Sequence, residues 1–161
     1  MKLTSQEEYG LRCLLRVGRE GKGGSLTIPE LARSEGISEP NVAKMMRILR
    51  RAGFVRSTRG QSGGYALALP AEQIPIGPVL AALGGRLYEP AFCDGHSGLA
   101  SLCTHMPDCS IRSVWRMVQG AIDSVLGKIT LKDMLRSEPE MNAFSPTRDA
   151  VSLPRFPGNS N

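Results

Sequence analysis

Along the first half of the chain the apolar positions recur at helical spacing in three short runs. Leu3, Leu11, Leu14, Leu15 and Val17 fall on one side of residues 3–18, with Glu7, Glu8, Arg12 and Arg16 between them, which predicts a first helix capped by Thr4 or Ser5. Gly21, Gly23 and Gly24 break it. Thr27 followed by Glu30 forms a capping-box pattern, and Pro29 is harmless in a first turn whose amide has no partner within the helix, so a second helix is expected over 28–35, ending at Gly36. Ser38 and Pro40 repeat that signal for a third helix over 39–52. Val42, Met45, Met46, Ile48 and Leu49 face inward on it, and Asn41, Lys44, Arg47, Arg50 and Arg51 face outward. After Gly53 the period changes to two: Phe54–Thr58 and Tyr65–Leu69 predict short strands joined by the Arg59–Gly64 turn into a β-hairpin.

Further on, Val79, Leu80 and Leu83 predict a fourth helix over 76–84, whereas residues 86–109 show no period and read as a loop. From Ser110 the apolar positions Ile111, Trp115, Val118, Ile122, Val125 and Ile129 step in a heptad-like seam. Such a seam must bury against something. Pairing with a second copy is the expectation, with packing on the first helix as the alternative. Thr130 and Asp133 cap a short helix to Leu135, and the proline-rich remainder, with Pro139, Pro146, Pro154 and Pro157, is expected to be disordered. The expected fold class is mainly α with a small β-hairpin. It divides into a winged helix-turn-helix over 1–85, a cysteine loop over 86–109, a dimerisation helix over 110–135 and a tail over 136–161.

Composition adds bounds. With 161 residues, 41% apolar and 22% charged, the chain suits one domain with appendages. No apolar run approaches the roughly 18 residues of a membrane span, and the amino terminus lacks the apolar core of a secretory signal, so a cytoplasmic location is expected. The net charge of +5 matters less than where the charge lies. Lys44, Arg47, Arg50, Arg51, Arg56 and Arg59 stand on one stretch with no Asp or Glu among them. Two helices joined by a short turn, the second basic, followed by a hairpin, are the parts of a winged helix-turn-helix that binds double-stranded DNA. Ser38, Glu39, Asn41 and Lys44 stand at the end of the helix that enters the major groove. Arg47, Arg56 and Arg59 suit phosphates or the minor groove. Gly60, Gly63 and Gly64 let the hairpin tip approach a partner closely. Their spacing does not make a dinucleotide loop, because no helix opens directly after them.

Candidate chemistry sits in the cysteines. Cys13 lies among Leu11, Leu14 and Leu15 and reads as a buried structural thiol. Cys93, Cys103 and Cys109 share the loop, separated by nine and five residues. In a reducing compartment they serve as ligands or redox groups, and soft thiolates suit iron–sulfur clusters or zinc. The close cysteine pair typical of zinc is absent, though His96 and His105 keep a zinc site open. An enzyme using Cys103 or Cys109 as nucleophile would need a base such as His105, and with no oxyanion loop legible an enzyme is not expected.

Met1-Lys-Leu-Thr4 with Tyr9, the Ala52-Gly-Phe-Val55 corner, Arg59-Gly60 with Gly63-Gly64-Tyr65, and three cysteines before a long helix resemble the winged-helix iron–sulfur transcriptional regulators typified by IscR, NsrR and RirA, the Rrf-two family. The resemblance covers about residues 1–135. It implies a homodimeric transcription factor, usually a repressor, that binds a palindromic operator and senses redox state, nitric oxide or iron–sulfur status through a [2Fe–2S] or [4Fe–4S] cluster. It also implies Cys93, Cys103 and Cys109 as cluster ligands, Ser38 to Lys44 as the groove-reading end and Arg59 as the wing cation. The histidine that IscR-like members carry three residues after the last cysteine falls on Arg112, whose guanidinium has no lone pair for iron. NsrR-like members use an acidic residue near the start of the first helix, where Glu8 stands, with Glu7 beside it. The gap between Cys93 and Cys103 is longer than the family's. A thiol switch or a zinc site on the same cysteines is the alternative.

Overall fold

The helix starts written in the sequence decide the layout of the amino-terminal half. Thr4 caps α1 (Ser5–Arg19) through a reciprocal capping box, its hydroxyl accepting from the Glu7 amide while the Glu7 carboxylate accepts from the Thr4 amide at 2.8 Å. Thr27 and Glu30 repeat this for α2 (Ile28–Glu35), with Pro29 in the first turn. Gly36 closes α2 at φ +64°, the left-handed conformation that costs glycine little, and turns the chain into α3 (Glu39–Arg51). Ser38 occupies the cap position of α3, yet its hydroxyl makes no capping bond. The computed structural model describes residues 3–21, 23–58, 63–99, 102–105 and 108–144.

β1 (Val55–Ser57) pairs antiparallel with β2 (Tyr65–Leu67), placing Val55 opposite Leu67 and Arg56 opposite Ala66. Leu26, just before α2, adds a bridge to Tyr65 through backbone hydrogen bonds of 3.0 and 2.8 Å. The hairpin is thus stitched to the root of the helix-turn-helix.

The core lies between α1, α3 and α4 (Ile76–Gly84), where Leu14, Val17, Leu31, Val42, Met46, Leu49, Val79 and Leu83 are buried. α1 crosses α4 closely enough that a Cβ on Gly10 would overlap the Leu83 side chain, and Gln6 donates to the Leu83 carbonyl at the same crossing. Arg12 pairs with the Glu35 carboxylate at 3.2 Å and also donates to the Glu35 carbonyl, fastening α1 to the end of α2.

Beyond α4 the chain makes a run of 3₁₀ turns over Pro90–His96, passes through further turns and enters α5 (Ser110–Leu126). The seam expected to run as one helix through Ile129 divides. α5 stops at Leu126, and residues 129–131 return to pair with 74–76, Ile76 donating to the Ile129 carbonyl and Leu131 to that of Ile74. Ile129 keeps the seam's spacing only because heptad spacing carries no signal for where a helix ends. α6 (Leu131–Met134), capped by Thr130 and Asp133, then buries Leu131 completely in the winged-helix core beside Gly18. Intramolecular packing therefore takes the carboxyl end of the seam, whereas Ile111, Val114, Trp115, Met117 and Val118 at its start are exposed.

A disordered tail was the expectation over 136–161. Instead, Ser137 and Glu140 form a capping box that opens α7 (Glu138–Ala143), with Pro139 in a first turn where its missing amide costs nothing. Residues 145–161 lie outside the described residues. Among the described residues no helix is long and apolar enough to cross a membrane.

Candidate nucleic-acid interface and cysteine loop

α3 turns one face to the core and the other outward. Val42, Met45, Met46 and Leu49 are buried, and their burial fixes the helix so that Ser38, Glu39, Asn41, Lys44 and Arg47 all stand on the exposed side. The Ser38 hydroxyl, free of a capping role, adds a donor and acceptor at that end. Arg56 is exposed on β1, and Arg50 reaches from α3 to the Ser57 hydroxyl at 3.4 Å. Arg50 thereby joins the recognition helix to the wing, a link its place in a basic run did not signal. A helix with polar and cationic groups along one exposed face suits the major groove, where the cations meet phosphates and the polar tips meet base edges.

At the base of the wing, Thr58 donates to the Gly64 carbonyl at 2.8 Å and accepts from the Gly64 amide at 3.1 Å. Gly64 is buried, and a Cβ there would come within 2.8 Å of the Leu26 carbonyl oxygen. Packing against Leu26 already demands glycine at this position. Gly63 is exposed beside it. Arg59 and Gly60 lie outside the described residues.

The cysteines separate as their surroundings predict. Cys13 is fully buried in α1, and burial, helped by the nearby Glu35 carboxylate, pushes its thiol up to about 11. Cys93, Cys103 and Cys109 are free and half-buried, outside the apolar core. Cys93 sits in the 3₁₀ segment, its sulfur 4.0 Å from the Tyr88 hydroxyl. Cys109 occupies the cap position of α5, its sulfur accepting from the Arg112 amide at 3.3 Å. In donor chemistry the three free thiols fit a soft-metal or iron–sulfur group. In position they are not yet gathered: among the described residues no three His, Cys, Asp or Glu side chains come together to hold a metal.

The candidates for a further ligand also separate. Glu7 is committed to the Thr4 capping box, whereas Glu8 is exposed and its carboxylate takes no hydrogen bond or ion pair among the described residues. His96 stacks on Phe92 with ring centroids 3.9 Å apart, and its Nδ1 lies 2.7 Å from the Phe92 carbonyl. His105 is exposed. One set of residues was not singled out by their motifs: Gln119, buried on α5, accepts from the Tyr88 amide at 3.0 Å and donates to Asp123 at 2.9 Å, and Asp123 pairs with Arg86. The available signal was a glutamine one helical turn from both Trp115 and Asp123, set inside an apolar seam.

Known proteins share this fold. The family described as "Rrf2: Iron-dependent Transcriptional regulator" matches residues 3–137. Protein rrf2 of Nitratidesulfovibrio vulgaris is 38% identical over 136 residues, which cover 84% of this chain and 88% of that protein. Among solved structures, T. potens IscR superposes with a TM-score of 0.65 at 31% identity, covering 84% of this chain and 86% of the other. CymR, the global cysteine regulator of B. subtilis, superposes at 0.64 with 26% identity, covering 84% of this chain and 96% of the other. The matched family spans the helix-turn-helix, the wing, the cysteine loop and α5 together, and it is a family of regulators and not of enzymes. The chain belongs to the Rrf2 family of winged-helix, DNA-binding transcriptional regulators.

Proposed function

We propose that the protein is a homodimeric repressor whose affinity for a palindromic operator is set by an iron–sulfur cluster held by Cys93, Cys103 and Cys109, with Glu8 as the fourth ligand. The observation that carries this reading is the segregation of the thiols. Cys13 is locked in the core, while the other three are free, half-buried and concentrated in the segment that joins the DNA-binding half to α5. Glu8 is favoured over Glu7 because the capping box already uses the Glu7 carboxylate. A bound cluster would supply a redox- and nitric-oxide-sensitive group at that junction. The chain's own residues do the rest. Gln6 and Gly10 hold the start of α1 against the end of α4, so the helix that carries Glu8 is packed on the element that leads into the loop. Dimerisation is supported by the exposed apolar start of α5, where Ile111, Val114, Trp115 and Val118 present a stripe that a symmetric copy would cover. A two-fold dimer sets two recognition helices at a fixed spacing, which suits a palindromic site.

The test is purification without oxygen, followed by iron and sulfide analysis and visible and Mössbauer spectroscopy. A coloured protein that loses its cluster on Glu8→Ala and keeps it on His105→Ala is expected. A colourless, iron-free product after reconstitution would contradict the proposal.

A second reading is a direct thiol switch or zinc site on the same cysteines; the switch needs no gathered ligand set, and among the described residues no three potential ligands are gathered. CymR, named for cysteine regulation, is among the similar structures. Zinc stoichiometry and thiol counts on the iron-free protein separate these two.

A further inference from the structure

Between the cysteine loop and α5 lies a contact that neither DNA binding nor thiol ligation requires. Gln119 is 6% exposed, the one buried polar side chain of the described residues. A buried amide is costly unless both its ends are satisfied, and here both are, by the Tyr88 amide on one side and Asp123 on the other. Asp123 in turn holds Arg86, so α5 grips the stem of the cysteine loop at two residues. A leucine at 119 would bury as readily and carry no such requirement.

Tyr88, equally buried, is held at its other end too. Its hydroxyl lies 4.0 Å from the Cys93 sulfur and its ring packs on Phe92 with centroids 5.8 Å apart. One residue thus has its backbone bound by α5 and its side chain against the first loop cysteine. We propose that Tyr88 is a positioning residue that couples the state of the Cys93 sulfur to the placement of α5. The proposal deepens the regulator reading and rests on it for its purpose, while the coupling itself needs no cluster. The hydroxyl stands 4.0 Å from that sulfur, so a group added to Cys93 on that side takes the space in front of Tyr88. The ring is displaced, the amide that Gln119 accepts from moves with it, and α5 shifts or loses that bond. The exposed apolar stripe of α5 passes beside Gln119, with Val118 next to it and Trp115 one turn before it, so the displacement lands on the surface proposed to hold the second copy.

The experiment uses the full chain carrying Cys103→Ser and Cys109→Ser, which leaves Cys93 as the accessible thiol. Methyl methanethiosulfonate caps Cys93 with a methylthio group, and hydrogen exchange is followed by mass spectrometry in peptides covering 110–126. Capping is expected to speed exchange there by about fivefold or more, a shift resolvable in local opening. Adding Tyr88→Phe keeps the ring and removes only the oxygen, leaving room for the cap. The response is then expected to fall below about twofold, with exchange before capping unchanged. Gln119→Leu, which frees the stem from α5, is expected to abolish the response as well. Equal speeding with and without Tyr88→Phe, or no speeding at all, would overturn the coupling. Faster exchange in Tyr88→Phe before any cap would make Tyr88 a simple brace. An iron-free protein would sink the cluster reading and leave this result standing, because the tested protein carries no cluster.

Discussion

The two halves of the chain treat their apolar residues differently. Up to Gly84 nearly every large apolar side chain enters one core, Leu3 and Leu69 being exceptions. From Phe92 to Val118, Phe92, Leu99, Leu102, Ile111, Val114, Trp115, Met117 and Val118 are all exposed. The first half is complete within one chain. The second half closes only at its end, where Leu126, Ile129 and Leu131 return to the core. Exposed apolar side chains in such number are what a contact site presents, and the three free cysteines lie on the same side of that divide. The winged-helix half thus buries its apolar residues, and the half that follows it leaves most of its own exposed.

Substitutions can break either half separately. Leu14 is fully buried, so Leu14→Ala is expected to cost about 2–5 kcal/mol in urea unfolding of the whole chain. Trp115→Glu with Val118→Glu is expected to leave the unfolding of the first half unchanged and weaken dimerisation by about a hundredfold or more in sedimentation equilibrium. An unchanged mass would remove α5 as the dimer surface. Lys44→Ala and Arg47→Ala test the winged-helix half in its function. Arg47→Ala is expected to lower the salt dependence of operator binding by about one unit of slope, and Lys44→Ala to narrow the difference between operator and unrelated DNA, with folding untouched.

The smallest effects concern the thiols. At pH 8 the native protein, stripped of metal, is expected to show three thiols reacting quickly with Ellman's reagent, while Cys13 reacts only after denaturation. Because the folded Cys13 thiol lies above its ordinary 9.0, at about 11, the stability it contributes is fully present below pH 9 and is lost as pH rises toward 11. Cys13→Ala should flatten that alkaline loss in thermal melts recorded between pH 8 and 11.

Local signals were the most legible in the sequence. Thr27, Pro29 and Glu30 place the start of α2 because a capping box needs only four residues, and the alternation of core and surface on α3 follows from helical geometry alone. Long-range pairings were not legible. The single bridge of Leu26 to Tyr65 leaves no period, so the tight approach that requires Gly64 could not be separated from a role at the DNA. Ile129 kept the seam's spacing while its surroundings were set by residues 74–76. For the site, the residue types and their segregation were readable. The grip of Gln119 on Tyr88 was not, because it joins residues with |i−j| = 31 across a loop without regular pattern.

The most direct test of the central claim is a comparison of operator affinity between cluster-loaded and cluster-stripped protein. Both are prepared without oxygen and titrated at one salt concentration against a DNA fragment selected by the protein itself. A change in Kd of about tenfold or more, lost in Cys103→Ser, is the predicted result. Identical affinities in the two states would contradict it and leave the cysteine loop without a hand in DNA binding.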